Sequence, residues 1–136
     1  HSKNAFYLAY KMGKAGLKVS YPGLKSHKDH ELIKSMFNEE YGFSGLLTID
    51  AVNHERANAL MEKMQDENIG YLAVSLGFYK TLFSSPGSST SSEISDEEKV
   101  TMGLSDGLVR MSIGLDNDIE RTWEKMKKCF LAVGLI

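Results

Sequence analysis

Several residue types are scarce in this sequence, and each scarcity narrows what the protein can be. The 136 residues include one cysteine, two prolines and, among sixteen basic residues, only three arginines. The single thiol, Cys129, cannot form an internal disulfide or a cysteine-based zinc finger. The longest apolar run, residues 129–136, is far shorter than the roughly 20 residues that a membrane-spanning helix needs. We therefore expect a chain without a membrane segment, in a reducing, cytoplasmic setting.

A large excess of positive or of negative charge is also missing. The formal net charge is −2, and acidic and basic residues are spread along the chain, so no basic face for nucleic acid or a bilayer can be identified. With 42% hydrophobic and 25% charged residues, the composition is that of one globular domain with a real core. We expect neither a nucleic-acid partner nor a membrane partner.

Apolar periodicity predicts four principal helices. They cover residues 4–16, 29–37, 53–65 and a closing segment that begins near Asn117. Asn53 is the expected N-cap of the third helix. Ser95 and Glu98 form a capping-box pattern for a further short helix that ends near Gly103.

Short apolar runs bounded by turn residues predict the strands. The runs are "SGLLTIDA", "NIGYLAVSLG", "FYKTLF" and "LVRMSIG", and "VSYPGLKSH" reads as a strand tip and turn. The serine-rich tract over residues 84–95 is a long loop. The sum is an α+β, two-layer small domain, with an about four-stranded, mainly antiparallel sheet and helices packed on one face.

The stretch "GLVRMSIG" places one arginine, Arg110, in the most strand-like apolar run. A guanidinium buried there without a partner costs several kcal/mol, so an anion should meet it. Its planar fork can grip a carboxylate through two parallel hydrogen bonds. The alternative is an outward strand position at which Arg110 pairs with a neighbouring Asp or Glu.

The stretch "VSLG", residues 74–77, is the second candidate. A strand that ends in Ser-Leu-Gly can present a hydroxyl and free backbone N–H groups, which bind anions. The alternative is an ordinary strand end with a turn glycine.

Other chemistry-bearing residues have simpler interpretations. His27 and His30 are spaced for a helix face but lack identifiable partner ligands, so we expect no metal site. Cys129 is expected to be a buried hydrophobe. Glycine-rich phosphate loops, catalytic triads and a distinctive lysine among the thirteen are all missing from the local patterns, so we expect no catalytic residue in this chain.

Three ordered motifs carry a family resemblance. "SYPGLKSHKDHEL", "AVSLGFYKTLFSSP" and "GLSDGLVRMSIGLD" together resemble the C-terminal domain of the pyridoxal-phosphate enzymes of cysteine and methionine metabolism. The likeness covers practically all 136 residues. It implies that residues 1–16 form the interdomain linker helix and that residues 17–136 form the small domain. The N-terminal domain, which binds pyridoxal phosphate covalently, is then absent.

The resemblance also implies roles for individual residues. Arg110 binds the α-carboxylate of a sulfur amino-acid substrate, and Ser75 and Leu76 help to hold the same carboxylate. The full-length enzymes form homotetramers, and the small domain alone is inactive. Ser91 stands where many members have the histidine of a Thr-His pair, so any contact of that histidine is in doubt here.

Val74 bears on which member of the family this is. Methionine γ-lyases tend to have valine at this position and cystathionine γ-lyases glutamate, so Val74 favours methionine γ-lyase. An apolar side chain suits a thioether, whereas a carboxylate suits the distal amino group of cystathionine. Alternatives are a cystathionine γ-lyase, cystathionine γ-synthase or O-acetylhomoserine sulfhydrylase domain, or a stand-alone, non-catalytic binding or oligomerisation module. A complete small enzyme would need one of the lysines to carry the cofactor.

Overall fold

The computed structural model describes residues 1–86, 95, 97–98 and 105–136. Within these residues the helices are α1 (Ser2–Lys14), α2 (His30–Met36), α3 (His54–Asp66) and α4 (Ile119–Ala132), with a 3₁₀ turn at Glu39–Tyr41. The strands are β1 (Val19–Ser20), β2 (Leu46–Asp50), β3 (Gly70–Leu72), β4 (Thr81–Ser84) and β5 (Leu108–Ser112). No helix in this described part is long and apolar enough to span a membrane.

The strands form one mixed sheet in the order β1-β2-β5-β4-β3. All neighbouring pairs are antiparallel except β3 and β4, which run parallel. The predicted α+β, two-layer architecture is confirmed. The prediction of about four strands is refined, because the tip at Val19–Ser20 pairs with β2 as a fifth strand.

Alternation along the strands separates a helix-covered face from an open face. Leu47, Ile49, Val109 and Met111 are fully buried on the first face, where they join α1, α3 and α4 in one core. Leu46, Thr48, Arg110 and Ser112 have the opposite parity and therefore lie on the open face. This parity sends the Arg110 side chain away from the apolar core.

The long helices follow their sequence patterns. The Asn53 side chain accepts a hydrogen bond from the Arg56 backbone N–H at 2.8 Å, as an N-cap does. The apolar spacing predicts that Leu60 and Met64 of α3 and Phe130 of α4 face inward, and all three are buried. Ile119 and Val133, predicted on the same face of α4, are only partly buried.

Helix α2 is an exception to the predicted burial. The sequence gives it one apolar face, yet Leu32 and Met36 are exposed, and His30 is its buried residue. The His30 ring stacks on Phe43 with ring centres 5.0 Å apart, and its Nδ1 lies 2.7 Å from the Pro22 carbonyl oxygen.

The second predicted strand is shorter than expected, because β3 ends at Leu72 and "VSLG" lies outside any strand. The physical reason is the parallel pairing of β3 with β4. A parallel pair cannot be joined by a tight hairpin, so the chain must return across the sheet. Residues 73–80 form this return segment, which we call the crossover.

The capping box predicted for the serine-rich region is present in the described residues. The Glu98 backbone N–H donates to Ser95 Oγ at 3.3 Å, and the Ser95 N–H donates to Glu98 Oε2 at 3.2 Å. The predicted helix end at Gly103, Ser91 and most of the loop predicted over residues 84–95 lie outside the described residues.

Candidate functional site

The crossover lies against the open face of the sheet and is attached to β5 at two points. Arg110 donates from Nη2 to the Val74 carbonyl oxygen at 2.7 Å. The Gly77 backbone N–H donates to Ser112 Oγ at 3.0 Å. Arg110 and Ser112 are two residues apart on the same strand face, so they hold the two ends of the "VSLG" stretch.

Arg110 is half-buried as a residue, and its guanidinium has capacity to bind a further group. Its cross-strand neighbours are Thr48 on β2 and Ser84 on β4. In the described part of the chain, no Asp or Glu oxygen lies within ion-pair distance of it. The contact to Val74 uses one of the five N–H donors of the fork. The alternative of a surface pair with a neighbouring carboxylate is therefore not observed among these residues.

Between its two attachment points the crossover presents polar backbone to solvent. The backbone N–H groups of Ser75 and Leu76 have no acceptor among the described residues, and both residues are exposed. Gly77 has a φ of +70°, in the left-handed region that favours glycine. Successive N–H groups beside a left-handed residue form an anion-binding concavity. The Ser75 hydroxyl stands beside them.

The outer rim of this site is apolar. The side chains of Val74 and Leu76 are 57% and 53% exposed. Further along the crossover, the rings of Phe78 and Tyr79 pack 4.4 Å apart. A ligand whose carboxylate reaches Arg110 would therefore find hydrocarbon surface next to it.

Two glycines that bracket β5 set the position of the strand, and a side chain at either would meet backbone. A Cβ at Gly107 would lie 2.5 Å from Val52 N, and one at Gly114 would lie 2.4 Å from the Lys80 carbonyl carbon. The Gly114 N–H donates to Thr81 Oγ1 at 3.0 Å. The close approach at Gly114 fixes the exit of the crossover.

A partly buried carboxylate supports the other end of β5. Asp50 Oδ1 accepts hydrogen bonds from the Val52 N–H at 2.8 Å and the Ser105 hydroxyl at 2.9 Å, and Lys18 Nζ lies 3.6 Å from Oδ2. Burial alone would raise the pKa of Asp50, but these hydrogen bonds and the Lys18 charge outweigh burial and lower that pKa. Asp50 is therefore a structural anion, away from Arg110 along the strand.

The remaining candidates from the sequence have structural roles. His27 Nδ1 accepts from the Asp29 N–H at 3.1 Å, in a turn before α2. Cys129 is buried, and burial raises the pKa of its thiol. Among the described residues, no group of three or more His, Cys, Asp or Glu side chains is arranged to hold a metal ion.

The described residues do not fit a covalently bound pyridoxal phosphate. Such a cofactor needs a lysine shielded from water, and every lysine in the described ranges is exposed or partly exposed. Lys80 donates to the Tyr71 hydroxyl at 2.9 Å, and this hydrogen bond raises the pKa of Lys80. A raised pKa keeps that amine protonated and unreactive as a nucleophile.

Sequence reasoning singled out Arg110 and residues 74–76, and the structure brings Arg110 and Val74 into contact. It missed Ser112, which holds the crossover at Gly77, and Gly114, which bonds to Thr81 where the crossover ends. The available signal was the position of Ser112, two residues after Arg110 on the same strand face.

The comparisons with known proteins agree on one family. Residues 1–130 match the model of the family described as Cys/Met metabolism PLP-dependent enzyme. The chain is 48% identical over 132 residues to a methionine gamma-lyase of Arabidopsis thaliana, covering 96% of this chain and 30% of that protein. It is also 33% identical over 97 residues to a cystathionine gamma-lyase of Bacillus subtilis, covering 71% and 24%.

A solved structure has the same fold. A putative O-acetylhomoserine (thiol)-lyase of Campylobacter jejuni, solved with N'-pyridoxyl-lysine-5'-monophosphate at its position 205, superposes with a TM-score of 0.84 at 33% identity. The match covers 96% of this chain and 30% of that one. The chain thus spans about a quarter to three tenths of the length of these relatives.

Proposed function

Because the chain belongs to the family of Cys/Met metabolism PLP-dependent enzymes, we propose that it is the substrate-carboxylate-binding domain of a carbon–sulfur lyase. In this proposal Arg110, Ser75 and Leu76 bind the α-carboxylate of a sulfur amino acid. The lysine that carries pyridoxal phosphate belongs to a cofactor domain outside this chain, so the 136 residues alone are inactive.

The observation that carries the proposal is the half-buried Arg110 beside the exposed N–H groups of Ser75 and Leu76. A carboxylate has two oxygens that accept parallel hydrogen bonds from a guanidinium fork. Backbone N–H groups and a serine hydroxyl on the facing side would satisfy its remaining lone pairs. Held at these points, an amino acid has its α-carbon in a fixed orientation, which is what a positioning site contributes to rate.

The specific activity we propose is that of methionine γ-lyase, which converts L-methionine and water to methanethiol, 2-oxobutanoate and ammonia. The exposed, apolar Val74 beside the carboxylate site supports this choice. A thioether is stabilised by hydrocarbon contact, whereas the distal ammonium of cystathionine would lose hydration there without gaining a partner.

We propose further that residues 1–16 join this domain to the cofactor domain. Phe6 and Tyr10 support this assignment, because they are 47% and 48% exposed on one side of α1 and stack on each other. Tyr41 adds to the same exposed apolar groove, whose volume is about 530 Å³. Contiguous exposed aromatic surface of this kind marks an interaction site. We expect the assembled enzyme to be a homotetramer in the cytoplasm.

Kinetics of the full-length enzyme test the carboxylate role. Replacing Arg110 by lysine keeps the charge and removes the fork, so we expect kcat/KM for L-methionine to fall about 10- to 100-fold. Arg56→Lys is the matched control, since Arg56 is an exposed arginine on α3. If Arg110→Lys behaves like Arg56→Lys, the carboxylate role is wrong.

A mass measurement tests where the cofactor attaches. The purified 136-residue chain is incubated with pyridoxal phosphate and reduced with borohydride, and its intact mass is recorded. We expect no stoichiometric pyridoxyl adduct. A stoichiometric adduct on one lysine would show that this chain has its own cofactor site and would support a complete small enzyme instead.

Substrate preference tests the choice among family members. We expect Val74→Glu to lower kcat/KM for L-methionine and to raise it for cystathionine. Val74→Ile, which keeps the apolar character, is the control. An unchanged ratio between the two substrates in Val74→Glu would remove the basis for preferring methionine γ-lyase.

A further inference from the structure

We infer that Ser112 is the positioning residue of the carboxylate site: its hydroxyl fixes the crossover so that the Ser75 and Leu76 N–H groups stay directed toward a ligand held by Arg110. This inference rests on the proposed function, because it assumes that the ligand is a carboxylate. Ser112 itself does not touch the ligand.

The geometry of the crossover carries the inference. Residues 74–77 are not in a strand, so the sheet ladder does not fix their backbone. Arg110 holds one end at Val74, and the Ser112 hydroxyl holds the other at Gly77. A carboxylate that draws the guanidinium away from the Val74 carbonyl would free the first end. Of the two hydrogen bonds that attach the crossover to β5, only the one between Gly77 and Ser112 would then remain.

The burial of Ser112 makes this attachment strong. Ser112 is 5% exposed, so water has little access to its hydroxyl, and the hydrogen bond to Gly77 is part-buried. Gly77 is exposed and has a φ of +70°, so without the bond this glycine has many alternative conformations. Losing the bond would therefore spread Ser75 and Leu76 over several positions.

The neighbouring strand provides a matched control. Ser84 is also 5% exposed and lies on the same sheet face, beside Arg110, but its hydroxyl has no partner among the described residues. Ser84→Ala therefore removes a buried hydroxyl without removing an observed hydrogen bond. If burial of a serine were all that mattered, the two alanine variants would behave alike.

The test measures binding by the 136-residue chain in NMR titrations with L-methionine and with L-methioninamide, in which the carboxylate is replaced by a neutral amide. We expect Ser112→Ala to weaken binding of L-methionine about three- to tenfold. Amide exchange at Gly77 should also accelerate. Ser112→Thr, which keeps the hydroxyl, should have the wild-type affinity for L-methionine and the wild-type exchange rate at Gly77. Ser84→Ala should match the wild type in both.

The outcomes separate this inference from the proposed function. If the wild-type chain binds the amide as well as the acid, the carboxylate function fails and the inference fails with it. If the wild type prefers the acid but Ser112→Ala binds it equally well, the function stands and the role of Ser112 is wrong. If Ser84→Ala and Ser112→Ala weaken binding equally, burial rather than attachment is responsible, and the inference is overturned.

Discussion

Gly114 is a position at which a single added methyl group should be strongly destabilising. A Cβ there would lie 2.4 Å from the Lys80 carbonyl carbon, 2.5 Å from Tyr79 O and 2.6 Å from Thr81 N. All three atoms are backbone, so side-chain rotation cannot relieve the clash. The end of the crossover would have to retreat by about 1 Å to reach ordinary van der Waals contact.

That shift breaks two hydrogen bonds, and their contributions to the free energy of unfolding can be added. Leu115 N–H donates to Tyr79 O at 2.7 Å, and Gly114 N–H donates to Thr81 Oγ1 at 3.0 Å. Each contributes about 1 kcal/mol, and overpacking adds about 1–3 kcal/mol. We therefore expect Gly114→Ala to lower the free energy of unfolding by about 3–5 kcal/mol.

Urea denaturation of the chain measures this effect, with Gly13→Ala as the control. Gly13 lies in α1, and a Cβ there would meet Val19 Cγ1 at 3.6 Å, an ordinary contact. Alanine in a helix should increase stability by about 0.5–1 kcal/mol. If the free energy of unfolding of Gly114→Ala lies within about 0.5 kcal/mol of the wild-type value, the close approach at this glycine does not constrain the exit of the crossover.

Three further predictions concern the scaffold. Val52 is 62% exposed with a φ of 74°, and this backbone conformation costs a β-branched residue about 1–2 kcal/mol. Val52→Asn should therefore raise the free energy of unfolding measured by urea denaturation, and a lower value would show that Val52 is not strained. Burial raises the pKa of Tyr21 to about 12, and its hydroxyl donates to Ser44 O at 2.8 Å. As pH rises, Tyr21 therefore ionises first in the unfolded state, near pH 10, and the free energy of unfolding should fall by about 2–3 kcal/mol between pH 10 and 12. Tyr21→Phe should show a smaller fall. An equal fall in both proteins would argue against a raised pKa of Tyr21. Cys129 should react with iodoacetamide much more slowly in the folded chain than in urea, and equal rates would contradict its burial.

Local patterns predicted those parts of the fold that local interactions determine. Helix α3 shows this, because Asn53 caps it and Leu60 and Met64 are buried as their spacing requires. The parallel pairing of β3 with β4 and the end of β3 at Leu72 depend on contacts distant in sequence. Apolar residues such as Val74 look strand-like in isolation, although they belong to a crossover that lies over the sheet.

The candidate site shows the same division. Arg110 stood out because an arginine in an apolar strand needs a partner, and the "SLG" stretch stood out as an anion-binding strand end. The position of Ser112, two residues after Arg110, was a weak signal, since a serine in a strand is ordinary until the chain that packs against it is known. The exposed side of α2 was missed because an apolar helix face is normally buried, whereas Leu32 and Met36 are exposed.

Binding of an α-carboxylate by Arg110 and the crossover can be observed directly on the wild-type chain. The Arg110 Nε–H signal and the amide signals of Ser75 and Leu76 are followed by ¹H–¹⁵N NMR during titration with L-methionine and then with L-methioninamide. We expect all three signals to shift together with the acid and not with the amide. Shifts with both ligands, or with neither, would contradict this expectation.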